Sequence, residues 1–209
     1  MGLFIEKLAT DPAFFFMQLA LVIFSICCHE YAHARAALWQ GDSTAADSGH
    51  LTLNPLKQMG LYSLFLLFFI GIAWGQVPVN KLRMRNRYSS AVVAFAGPAA
   101  NLFLFLTFTI LAGQSIRIYG AENIPPVILL FLNLGAVLNI VLFVINILPV
   151  PMLDGWEVFE FFFPNAVKKS PEFFNGFSIF LCFVVLMGIN YVFSFGSLLF
   201  QTLLRLQLH

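Results

Sequence analysis

The chain has 209 residues, of which 60% are hydrophobic and 10% charged, and its mean hydropathy is +0.86. Soluble domains carry about a quarter charged residues, so this composition belongs to a chain whose solvent is largely lipid. A net charge of +1 excludes the broad basic surface of a nucleic-acid binder, and the length suits one membrane-embedded domain over residues 1–209 with no separate soluble one.

In chain order, the first turn holds Glu6, Lys7 and Asp11 and lacks a small-x-small cleavage site, so no removable signal peptide is expected. Residues 13–39 are long and apolar enough to span. Residues 43–59 are polar and turn-rich, broken by Asn54-Pro55. The apolar stretch 60–75 falls short of the ~20 residues a full span needs. Residues 76–90 are basic, with Lys81, Arg83, Arg85 and Arg87. Spans are expected over 91–112 and 126–148, then a mixed segment 150–171. The last apolar stretch, 172–207, is expected to be divided into two passes near Gly188 and Asn190. The expected fold is thus an all-α polytopic membrane protein, a bundle of about five to six transmembrane helices. Short strands fit only Leu51–Leu53 and Val77–Val79, where Val and Thr gather. Cys27, Cys28 and Cys182 lie in apolar runs without metal or redox spacing and read as packing residues.

The chemistry is concentrated in His29-Glu30-Tyr31-Ala32-His33. Histidines four apart project from one helix face, one turn from each other, and so reach a single tetrahedral zinc. Glu30 beside them is placed to take a proton from a water activated by the metal. Ionisable groups inside a span cost at least a few kcal/mol and are functional by default, which disfavours a pair of histidines that merely bond neighbouring helices. A catalytic zinc takes three protein ligands, so one more donor is needed. Asp154 is the best candidate. It follows a span in the run Asn146-Ile147-Leu148-Pro149-Val150-Pro151-Met152-Leu153-Asp154-Gly155, whose prolines interrupt the helix. Glu157 and Glu160 compete for that role but read as residues of a following amphipathic turn.

The motif in a span, together with Phe95-Ala96-Gly97-Pro98-Ala99-Ala100-Asn101 and the Asn146 to Gly155 run, resembles the site-2 protease family of intramembrane zinc metalloproteases. The likeness runs over residues 13–165, the expected catalytic core, with membrane helices following at 172–207. It is nearest to short members without a PDZ or CBS domain. The resemblance implies that His29, His33 and Asp154 ligate zinc and that Glu30 is the general base. It implies that Asn146 orients substrate or stabilises the oxyanion, and that Asn101 places a neighbouring helix. Short members often carry a histidine after Leu-Asn-Pro-x-x; here Leu53-Asn54-Pro55-Leu56-Lys57 runs into Gln58-Met59-Gly60, with His50 nearby.

Short basic loops stay in the cytoplasm, which places residues 81–87 and Lys168-Lys169 there. One zinc requires His29, His33 and Asp154 at a common depth near that side. Residues 43–59 and 81–87 then share a side, so 60–75 must dip in and return. The expected activity is hydrolysis of peptide bonds in or next to transmembrane segments by a zinc metalloendopeptidase of the HExxH type, in regulated intramembrane proteolysis. Its partners would be the lipid bilayer and a transmembrane protein or peptide substrate, in the cell membrane of a bacterium or archaeon. The alternatives are a membrane zinc-binding protein and a catalytically inactive scaffold. A rival membrane protease, taking Glu157 or Glu160 as third ligand, conflicts with the Leu153-Asp154-Gly155 run.

Overall fold

In the computed structural model, residues 3–165 and 171–208 are described; Lys168 and Lys169, expected on the cytoplasmic side, lie outside them. The chain is helical, and among the described residues there is no strand. The longer helices are α1 (Pro12–Trp39), α2 (Gly60–Ile70), α3 (Ser89–Tyr119), α4 (Pro126–Asn146), α5 (Asp154–Phe162) and α6 (Pro171–Leu208). Among the described residues, four segments are long and apolar enough to cross a membrane: α1, α3, α4 and the Met187–Leu208 part of α6. The protein is therefore a multi-pass integral membrane protein of the all-α class, as its composition requires.

The last apolar stretch, expected to divide in two, is where the structure departs from the sequence reading. Residues 171–208 form one helix. Gly188 has nothing within 4 Å of where a Cβ would stand, so no neighbouring element exploits it to turn the chain. In lipid a helix satisfies its own backbone, and a lone glycine is a weaker breaker there than in water.

The chain divides into two compact units, Met1–Ser89 and Ser90–His209. In the first, α1 opens on Asp11, whose carboxylate accepts the Phe14 N–H at 3.0 Å, with Pro12 in the first helical position, where its missing N–H costs nothing. Helix α2 is only 11 residues long, about 16 Å, against a hydrocarbon core of ~30 Å. Gly71 caps it in the left-handed region, at φ 85°, and the chain then returns in extended form. Ser63 Oγ donates to the Trp74 carbonyl at 2.7 Å and accepts its N–H at 2.9 Å. The Gln76 N–H reaches the Gln58 carbonyl at 2.9 Å. Residues 58–76 are thus a hairpin that ends where it began, as the short apolar stretch requires.

The hairpin packs along α1 in the opposite direction. Phe68 meets Phe15 edge-on near the start of α1, and Met59 and Leu67 share a buried cluster with Ile26 and Cys27. The strands expected at 51–53 and 77–79 do not form, and the backbone of the first segment bonds a side chain instead. Gln58, 1% exposed, donates its amide to the carbonyls of His50 and Thr52 at 2.9 and 2.5 Å.

Beyond α1 the fully buried Asp42 fixes the next turn. Its carboxylate accepts the Thr44 N–H and hydroxyl at 3.0 and 2.5 Å and the Asn80 N–H at 2.6 Å. Burial works to raise this carboxyl, but the hydrogen bonds from Thr44 and Asn80, with Arg83 beyond them, outweigh it and hold the group below its ordinary value.

In the second unit the helices approach through small residues, as helices in lipid do. A Cβ at Gly135 on α4 would stand 2.8 Å from the Phe108 ring on α3, and one at Gly196 on α6 would stand 2.9 Å from Ile140 on α4. Pro98 lies inside α3 without ending it. One turn on, the buried Asn101 donates to Asn139 Oδ1 on α4 at 3.0 Å, and Asn139 donates to the Gly135 carbonyl at 2.8 Å. The Gly-Pro-x-x-Asn motif thus joins two spans, the placing role that the resemblance implies for Asn101.

Candidate metal centre

His29, Glu30 and His33 occupy the buried second half of α1, each 8% exposed. Their spacing alone sets the geometry, because residues four apart on a helix stack one turn above the other. The two Nε2 atoms point at each other, 2.9 Å apart, one ring donating and the other accepting. The rings stand edge-to-face with centroids 4.6 Å apart. Two nitrogens on a tetrahedral zinc stand about 3.3 Å apart at Zn–N ~2.05 Å, so a few tenths of an ångström separate this pair from a ligating one. The donor set fits the metal: two imidazoles aimed at one point inside a span.

Glu30 faces the returning arm of the hairpin. A Cβ at Gly75 would fall 2.2 Å from Glu30 Oε1 and 2.3 Å from its Cγ. Glycine at 75 is what lets the main chain pass over the carboxylate. Sequence reasoning missed this residue, since its contact joins positions 45 apart; the only local signal was a glycine in an extended run after Trp74.

His50 takes no place among the α1 donors. Its Nδ1 lies 3.5 Å from Gln58 Oε1, and it lines a cavity of about 280 Å³ at the base of the hairpin with Lys57, Gln58 and Gln76. Gln58, where the resemblance to short family members implies a histidine, works as a structural clamp.

In the second unit, α4 ends at Asn146. The Asn146 amide donates back to the Leu142 carbonyl at 3.0 Å. The chain then turns through Pro149 and Pro151, and Met152 takes the left-handed region at φ 82°, unusual for a residue with a side chain. Asp154 is the first residue of α5, where the helix dipole favours a negative charge. Gly155 is buried, and a Cβ there would stand 2.2 Å from the Ile147 carbonyl oxygen. The α5 N-terminus is thereby packed directly on the end of α4, which fixes where Asp154 leaves the backbone. Glu157, the rival donor, accepts a short hydrogen bond from Ser90 Oγ.

Two buried histidines aimed at one point within a spanning helix of a polytopic helical protein fit a class: a membrane-embedded metalloprotease. The profile of peptidase family M50 matches residues 112–189. The chain is 36% identical over 172 residues to "Putative zinc metalloprotease YwhC" of Bacillus subtilis, covering 78% of each. It is 34% identical over 153 residues to "Putative zinc metalloprotease Rip2" of Mycolicibacterium smegmatis, covering 70% of this chain and 57% of that one. Rip2 of Mycobacterium tuberculosis is 33% identical over the same length. No solved structure matches. The chain belongs to peptidase family M50, the site-2 proteases, and is a zinc metalloprotease of the membrane with one zinc ion as its cofactor.

Proposed function

We propose that this protein is an intramembrane zinc endopeptidase of the HExxH type, cutting membrane proteins in or next to their transmembrane segments. The observation that carries the reading is the convergence of His29 and His33 Nε2 within 2.9 Å on a buried face of a spanning helix, with Glu30 alongside. In this reading His29, His33 and Asp154 hold the zinc, and residues 1–209 serve as a single catalytic domain. A bound zinc supplies Lewis acidity, which acidifies water toward a pKa of ~7 and polarises a carbonyl.

The chain's own residues do the rest. Glu30 takes the proton of the attacking water and returns it to the leaving amine as the C–N bond breaks. Its burial on α1 keeps the carboxylate away from bulk solvent, and the Gly75 backbone passes close beside it. Asn146, at the α4 terminus, orients the substrate carbonyl. A substrate helix keeps its amides internally bonded, so it must unwind locally before attack, and regulated proteolysis of single-span proteins is the setting this suits. The bilayer is the medium in which enzyme and substrate meet.

The test is Glu30→Gln in reconstituted vesicles with a single-span reporter. Zinc content should stay at one per chain while cleavage vanishes, and a trapped membrane protein should co-purify. Cleavage at the wild-type rate in that variant refutes the assignment.

A further inference from the structure

The cavity of about 280 Å³ at the base of the hairpin plays no part in the chemistry of Glu30 and the histidines. Its size falls just under the ~300 Å³ at which small-molecule sites begin, so it suits one side chain rather than a cofactor. Its apolar side chains are Met59, only 6% exposed, and Pro78, too little surface to hold an acyl chain. The polar wall is preformed. Asn54 Oδ1 accepts the Leu56 N–H and the Asn54 carbonyl accepts the Lys57 N–H, both at 3.0 Å, which fixes the turn that carries Lys57. Gln76 is pinned through its N–H to the Gln58 carbonyl at 2.9 Å. The Gln58 amide is committed to the carbonyls of His50 and Thr52, and its Oε1 faces His50 Nδ1 at 3.5 Å. Gln58 and His50 therefore shape the wall, and the exposed side chains of Lys57 and Gln76 remain as its donors.

No carboxylate lines the cavity. The two acidic residues nearest to Lys57 in the sequence are bound elsewhere, Asp42 to Thr44 and Asn80, and Asp47 to Ser43 and Arg83. Among the described residues neither the Lys57 ammonium nor the Gln76 carboxamide has a hydrogen-bond or ion-pair partner. An ammonium with three donors beside a carboxamide suits a carboxylate. The cavity gains a place in the reaction through its neighbour, because Gln76 directly follows Gly75, whose main chain passes over Glu30. Successive Cα atoms stand ~3.8 Å apart and an extended polypeptide advances ~3.3 Å per residue. A chain with its scissile carbonyl at Glu30 thus comes to the cavity within about four residues.

We propose that this cavity is a specificity subsite for an Asp or Glu side chain of the polypeptide being cut, held by Lys57 Nζ and the Gln76 amide. The inference rests on the reading of Glu30 as the general base of a protease.

Single-span reporters carry Asp, Asn or Lys at each position within about four residues of the cut. The readout is the ratio of kcat/KM between the Asp and Asn reporters, in which a general loss of activity cancels. The reconstituted full chain should favour Asp about threefold at one position, within the worth of one exposed ion pair. Salt at about 1 M, where the Debye length is ~3 Å, should erase that preference. Lys57→Gln and Gln76→Glu should bring the ratio to about one, and Lys57→Glu should favour the Lys reporter. The same preference is read as affinity, without cleavage, from the fluorescence anisotropy of labelled reporters on the Glu30→Gln protein in detergent micelles. If the wild type cuts no reporter while an Asp preference in affinity persists and depends on Lys57, the proteolytic reading fails and the carboxylate site stands. Cleavage with a ratio of one at every position overturns the subsite and leaves the protease intact, as does an Asp preference unchanged in all three variants. Loss of the preference on adding phosphatidylglycerol, but not phosphatidylcholine, overturns it in favour of a lipid phosphate.

Discussion

Residues 1–89 hold their polar groups in place with turns and a hairpin, whereas residues 90–209 do so with long helices touching through small residues. In the first unit the buried Gln58, Ser63 and Asp42 each bind backbone groups of non-helical chain. In the second, Asn101 and Asn139 bind one another across two spans. The candidate ligands follow the same division. His29 and His33 are placed by the regular geometry of one uninterrupted helix, but Asp154 is placed by an interruption, where α4 stops and α5 begins. Regular helix suffices to aim two donors from one segment; bringing in a third from elsewhere in the chain takes irregular backbone.

That contrast can be broken at several points, and the largest effect is expected at the candidate ligands. His33→Ala and Asp154→Ala should each lower zinc affinity by more than about 100-fold, since removing a ligand exceeds the 10–100-fold loss seen for outer partners. Zinc content by mass spectrometry would show whether the regular and irregular elements weigh equally. If Asp154→Ala kept full zinc, the carboxylate would have to come from elsewhere. The next effect separates catalysis from packing. Gly75→Val should suppress cleavage by displacing Glu30 while zinc content is retained, whereas Gly155→Ala should lower the melting midpoint, costing about 1–3 kcal/mol as overpacking, and lower zinc content with it as Asp154 shifts.

Asn139→Ala should destabilise by about 1–3 kcal/mol, because the Asn101 amide keeps its burial and loses its acceptor. Ser63→Ala, which removes the hairpin's clasp, should act on the first unit alone, and hydrogen exchange would show the loss confined to residues 58–76. The smallest effect concerns pH. Because the Asp42 carboxyl is held below its ordinary value, its contribution is fully present above the unfolded value and disappears as pH falls through the folded one. Wild-type melting should therefore drop across that acidic window. Asp42→Asn should melt lower at neutral pH and respond less to acid.

Much of this was legible from the sequence where a rule is local. His29 and His33 are one helical turn apart by arithmetic, and α2 fails to span by arithmetic too. The Gly97-Pro98 to Asn101 motif pointed to a helix-placing residue, and Asn101 does bond α4. What escaped notice depends on contacts between distant positions. Gly75 matters because of Glu30, and no pattern around residue 75 says so. Leu51–Leu53 and Val77–Val79 have strand-like composition, but Gln58 and Asp42 claim the neighbouring backbone groups and no ladder forms. Gly188 and Asn190 suggested a break that a lipid-embedded helix has no need to make.

The close seat of Gly155 on the Ile147 carbonyl also bears on how activity is lost in evolution. Every possible replacement at that position adds at least one carbon where 2.2 Å is available, so a single codon change there would shift Asp154 without altering it. A relative keeping His-Glu-x-x-His and its aspartate, but bearing a larger residue after that aspartate, would look intact by its chemistry and be disarmed by its sterics. Searches for silent members of such a lineage should therefore examine the residue beside the candidate ligand as closely as the candidate itself.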